Sequence, residues 1–107
     1  LESPEHESIR QFRQTVLAES GHEPMYVQAD VTRLDDLEAF VVSTVERYGR
    51  IDVLASNAGA NVFKGAETCS QAEWNHNLNL NLESHWQLAR LSKPHLEKNG
   101  NGVIVIN

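Results

Sequence analysis

The chain has 107 residues, of which 40% are hydrophobic, 22% charged and nine are Gly or Pro, the makeup of one ordinary folded domain and not of a disordered or fibrous chain. Its formal net charge of −6 excludes a general nucleic-acid binder, which needs a basic face to neutralise phosphates, and also excludes docking on an anionic membrane. No apolar run nears the roughly 18 residues that a membrane span requires.

The opening residues, Leu1-Glu2-Ser3-Pro4-Glu5, contain no basic segment followed by an apolar one, so no secretory leader is expected. They also lack an initiator Met, which places the expected start upstream. Ser3 and Pro4 suit a helix start, because Ser caps free N–H groups and Pro at the first helical position loses nothing. Ile9, Phe12, Val16 and Leu17 then recur at helical spacing as one apolar stripe, and Gly21 ends the helix. A short strand is expected at about Met25 to Ala29, ending at Asp30.

Thr32 and Asp35 have the spacing of a capping box. Leu34, Leu37, Val41, Val45 and Tyr48 form the buried stripe of a second helix, which Gly49 terminates. Ile51 to Ala55 is a short apolar run with β-branched residues, expected as a strand covered on both faces. A loop with Gly59, Asn61 and Gly65 follows. In it, Cys69 has the ordinary reading of a partly buried small residue near a helix start. As the only cysteine it forms no internal disulfide, which suits a reducing cytoplasm.

Ser70 and Glu73 make a second capping box, so a third helix is expected from about Gln71 to Lys98. Within it, Trp74 to Leu82 alternates polar and apolar residues, with Asn at 75, 77, 79 and 81. Alternation is a strand signal and Asn a poor helix former. The preceding box and the later stripe of Leu82, Trp86, Leu88 and Leu91 favour a helix with a local irregularity. Pro94 adds strain further along. Asn99-Gly100-Asn101-Gly102 breaks the helix, and Val103 to Ile106 is a last buried strand.

The order αβαβαβ calls for an α/β fold: a parallel sheet with helical crossovers, in a doubly wound arrangement of three strands and three helices. In such a sheet the first two of these strands are not neighbours, since the opening strands of the fold lie between them. The chain is therefore expected to be a central piece of a longer domain.

Three places stand at or after strand ends, where α/β proteins put ligands. Asp30-Val31 is one; its plain reading is a solvated carboxylate before a helix. Ser56-Asn57-Ala58-Gly59-Ala60 is the second. Small residues there admit a ligand close to the backbone, and the plain reading is a turn. Asn81 is the third, plainly an exposed Asn ill suited to a helix interior.

Together these residues resemble the short-chain dehydrogenase/reductase pattern. That family carries an Asp-Val pair after its third strand, an Asn-Asn-Ala-Gly signature after its fourth and a catalytic Asn in its fifth helix. Here Asn57 follows Asp30 by 27 positions and Asn81 follows Asn57 by 24. Tyr48 to Leu54, Glu73-Trp74-Asn75 and Val103 to Asn107 extend the likeness over essentially the whole chain. Asn81-Leu82-Glu83-Ser84 with Trp86, Leu88 and Pro94 resembles the tropinone-reductase-like branch. Two positions depart from the pattern: Ser56 stands where the signature has its first Asn, and Ser84 where a smaller residue is usual.

The resemblance implies a partial Rossmann-type sheet, with residues 1–107 forming part of a single NAD(P)-binding domain that lacks its first two strands and the segment after the fifth. It implies NAD or NADP as cofactor and hydride transfer with a secondary alcohol or ketone as small-molecule substrate. Asp30 would accept a hydrogen bond from the adenine amino group, with the Val31 backbone beside the ring. Asn57, Ala58 and Gly59 would line the cofactor. Asn81 would distort its helix and hold a water in a proton relay. The glycine-rich phosphate loop and the catalytic Ser, Tyr and Lys are expected outside this sequence. A cytoplasmic homodimer or homotetramer formed through the third helix is implied, with no nucleic-acid or membrane partner. A catalytically inactive cofactor-binding sensor of the same fold is the alternative, and a flavodoxin-like module gives no reason for the spacing of Asn57 and Asn81. His22, His76, His85 and His95 make no metal-binding face, and no metal is expected. Val62, Phe63 and Lys64 either border the substrate or form a solvated loop.

Overall fold

The computed structural model describes residues 2–107, which divide into two compact units between Asp30 and Val31. In the first, helix α1 runs over Glu7–Ser20. It begins later than Ser3-Pro4 suggests. The His6 N–H closes a turn onto the Ser3 carbonyl, and the His6 ring accepts from the Ser8 N–H as the cap. Gly21 ends the helix as expected, with φ 77° and its N–H on the Leu17 carbonyl at 2.9 Å. Of the expected stripe, Ile9 and Val16 are half-buried while Phe12 and Leu17 are exposed. Met25 to Ala29 is not a strand. A strand exists through its ladder to a neighbour, and the sheet of the described residues consists of two other strands paired with each other.

The second unit opens with α2, Leu34–Tyr48. Its cap position falls on Arg33, one residue past Thr32, so the Thr32–Asp35 box does not set the start. Gly49 terminates it at φ 79°, a left-handed conformation open to glycine. Leu37 and Val41 are buried and Val45 half-buried, whereas Leu34 and Tyr48 at the two ends are exposed.

Strand β1 is Val53–Ser56, followed by α3 (Gln71–Leu78), a π-helical turn (Asn79–Glu83), α4 (Ser84–Lys98) and β2 (Val103–Ile106). β1 and β2 pair in parallel, Val53 opposite Val103 and Ser56 opposite Ile106. The helical crossover that a parallel pair needs is the whole stretch from α3 to α4. The Asn99 side chain donates to the Ile51 carbonyl, which ties the end of α4 to the approach to β1. The core is Leu37 and Val41 of α2, Ile51 and Leu54 at β1, and Leu88 and Leu96 of α4. It covers one face of β1 only. Leu54 and Ser56 are buried while Val53 and Ala55 are exposed, so the expected two-sided cover is absent among the described residues. The residues of β2 are likewise exposed.

Candidate cofactor-edge site

Parallel pairing brings the carboxyl ends of both strands to one edge, where Asn57, Ala58 and Gly59 follow β1 and Asn81 reaches the same loop at Ala60. Asn57 and Asn107 each follow their strand directly, and the Asn107 side chain donates to Asn57 Oδ1 at 2.6 Å. Asn57, Ala58, Gly59 and Ala60 are all exposed, so small side chains and bare backbone line this edge.

The third expected residue arrives from the crossover. Ser70 caps α3 by accepting from the Glu73 N–H at 3.1 Å, as its spacing predicts. The irregularity expected in Trp74 to Leu82 is the π-turn, whose wider winding is a known accommodation at functional sites. From it, Asn81 Oδ1 accepts from the Ala60 N–H at 3.0 Å and Asn81 Nδ2 donates to the Ala60 carbonyl at 2.7 Å. These bonds use one Nδ2 hydrogen and one Oδ1 lone pair, and the amide has a second of each for a water or ligand. Gly59 makes this approach possible: a Cβ there would lie 2.8 Å from Asn81 Oδ1.

The same turn reaches a second loop. Asn79 Nδ2 donates to the Thr32 carbonyl at 3.1 Å, so the segment after Val31 and the segment after Asn57 are both held by amides of one π-turn. Val31 itself packs against the core. Asp30 ends the first unit, half-buried. Sequence reasoning missed Asn79, although the Asn alternation contained it. It also missed the buried contact of Ser56 Oγ with His85 Nδ1 at 2.5 Å. No local signal marks that pair, which is 29 positions apart.

Lys64 and Glu73 form a 2.7 Å ion pair between the loop and the first turn of α3. The hydrogen bond from Lys64 holds the Glu73 carboxyl below its ordinary pKa, and the same bond raises Lys64. Phe63 is fully in solvent at 94% exposure. Cys69 is half-buried and lines a hollow of about 250 Å³ with Ala66, Ser70, Gln71 and Trp74, none of them an expected site residue. Among the described residues no group of three or more His, Cys, Asp or Glu side chains could hold a metal ion. No described helix is long and apolar enough to cross a membrane.

Residues 3–106 match the family model described as short chain dehydrogenase. The chain belongs to the short-chain dehydrogenase family. Among its relatives, a protein of Streptomyces violaceoruber named as ketoacyl reductase 2 for the granaticin polyketide synthase is 38% identical over 84 residues, 76% of this chain and 34% of the relative. The short-chain dehydrogenase fold is shared with an alcohol dehydrogenase of the archaeon Thermococcus sibiricus complexed with 5-hydroxy-NADP, at TM-score 0.84 and 28% identity over 92% of this chain and 41% of that one. A metagenomic short-chain oxidoreductase in complex with NADP superposes at TM-score 0.85 and 28% identity, over 97% and 46% of the two chains. The chain thus spans about a third of the length of that curated relative.

Proposed function

We propose that the protein carrying this chain is an oxidoreductase that transfers a hydride between NAD or NADP and a secondary alcohol or ketone. The chain is then one part of a single NAD(P)-binding Rossmann domain. The observation that carries this reading is the contact of Asn81 with the loop after β1, because it puts a polar amide beside an exposed small-residue turn at the carboxyl edge of a parallel sheet. The relatives' names, a ketoacyl reductase and an alcohol dehydrogenase, point to carbonyl and alcohol substrates, and two solved relatives hold NADP or a derivative.

The residues fit such a cofactor. Asn57, Ala58 and Gly59 are exposed at the strand end with no bulky group among them, so a flat ring and a ribose can rest on the backbone. Asp30 would accept a hydrogen bond from the adenine amino group, and the Val31 backbone would lie beside the ring. When bound, the dinucleotide supplies or accepts the hydride. Asn81 keeps its amide plane fixed through Ala60 and holds a water with its second N–H and lone pair. That water passes a proton to or from the general acid/base at the substrate oxygen.

The test is Asn81→Ala in the full-length protein. Turnover is expected to fall by about two orders of magnitude or more, as for the loss of a proton-transfer element, while NAD(P)H affinity, read by nicotinamide fluorescence, stays near that of the unaltered protein. Unchanged turnover overturns the relay assignment. Tight cofactor binding by an unaltered protein that turns over no alcohol or ketone would favour the sensor reading. The helical stretch from α3 through the π-turn into α4 also supports self-association: Trp74, Leu78, Leu82 and Trp86 recur every four residues and are 54%, 42%, 65% and 58% exposed. A second copy of the chain covers this row in a homodimer or homotetramer.

A further inference from the structure

Four residues past Asn81, at the start of α4, His85 turns inward and shares its 2.5 Å hydrogen bond with Ser56, the last residue of β1. Both are buried, at 7% and 4% exposure. Four residues past Ser56 lies Ala60, the partner of Asn81. Two links therefore join the same two segments with matching offsets, Ser56 to His85 in the interior and Ala60 to Asn81 at the open edge. A buried polar pair contributes little net stability, since replacing both partners by apolar groups of similar shape is close to neutral. What such a bond supplies is geometric. The turn between α3 and α4 is π-helical, a winding that is rare and occurs mostly as single turns within α-helices. An anchor on its far side fixes how the turn is rotated, and hence where the Asn81 amide points.

We propose that Ser56 and His85 are positioning residues, which hold the π-turn in register so that Asn81 stays bonded to Ala60. The functional part of this inference rests on the proposed role of Asn81. The structural part does not.

The experiment uses the full-length protein and the variants His85→Ala, Ser56→Ala and Ser56→Ala/His85→Leu, beside Asn81→Ala. Amide hydrogen exchange at Ala60 reports the link directly. It is expected to quicken about tenfold in both single variants, the size of one lost hydrogen bond. Turnover is expected to fall about ten- to a hundredfold, as a displaced group does, with KM for the dinucleotide little changed. The double variant is expected to regain thermal stability without regaining turnover or Ala60 protection. If His85→Ala does not fold, Ser56→Ala breaks the same bond by removing one oxygen and is read in the same way. Normal exchange at Ala60 in a folded single variant overturns the proposal. So does a double variant that recovers turnover along with stability. If Asn81→Ala leaves turnover intact, the relay reading fails, and exchange at Ala60 still decides the positioning claim.

Discussion

Gly59→Ala tests the site with a single methyl group. The φ of Gly59 is not positive, so alanine fits the backbone there. The cost comes from the new Cβ, 2.8 Å from Asn81 Oδ1, where ordinary contact begins at 3.4 Å. Oδ1 must retreat by about 0.6 Å. Taken along the bond from the Ala60 N–H, that stretches 3.0 Å to about 3.6 Å, beyond hydrogen-bond range. Losing that bond and weakening the 2.7 Å bond from Asn81 Nδ2 costs about 1–2 kcal/mol in all, at roughly 1 kcal/mol for a full bond. The stiffer unfolded chain offsets about 0.4–1 kcal/mol. The net loss is about 1 kcal/mol, a small change in a urea midpoint. Turnover should suffer far more, by about a hundredfold, because the relay amide is displaced. The assay pairs urea unfolding with steady-state reduction of a ketone by the full-length protein. A variant with normal turnover and an unmoved midpoint would refute the claim that Gly59 exists to admit Asn81.

Gly49→Ala has the opposite profile. Nothing lies within 4 Å of the new Cβ, but φ is 79°, so the left-handed backbone costs about 1–2 kcal/mol in a urea titration with little effect on turnover. Trp86→Glu puts a charge in the exposed apolar row and should shift the protein toward monomer in analytical ultracentrifugation; an unchanged assembly counts against that interface. The Lys64 bond lowers the folded pKa of Glu73, so its stabilisation is complete above the ordinary carboxylate range and disappears as pH falls through the lowered value. Glu73→Gln should therefore lose a little stability at neutral pH and match the unaltered protein in acid, in urea midpoints across pH. A constant difference would contradict the ion pair as the cause.

Local signals in the sequence carried well. Ser70 and Glu73 lie within one turn, so the cap that starts α3 was legible from spacing alone. The alternating Asn run at 75–81 signalled an irregularity; Asn75 and Asn77 stay in regular helix, and Asn79 and Asn81 fall on the π-turn at Asn79–Glu83. Elements that depend on distant partners were not legible. Met25 to Ala29 has strand composition, yet composition supplies no neighbour. The Asn79 bond to Thr32 spans 47 positions and the Ser56–His85 contact 29, and neither distance leaves a periodic trace. Thr32 and Asp35 carried a local signal that placed the cap one residue early: the cap position is Arg33, and the Thr32 carbonyl accepts from Asn79.

The wide turn also sets the phase between two halves of one crossover. Each α-helical residue advances the chain by about 100°. Rewinding Asn79–Glu83 as regular α-helix with no residue removed would swing α4 by about that angle relative to α3, because a π-turn holds one residue more per turn. Either the Ser70 end or the inward face of Leu88 and Leu96 could then keep its seat, but not both. By taking up the extra residue, the wide turn lets a helix start fixed by its cap and a helix end fixed by its apolar face belong to the same rod.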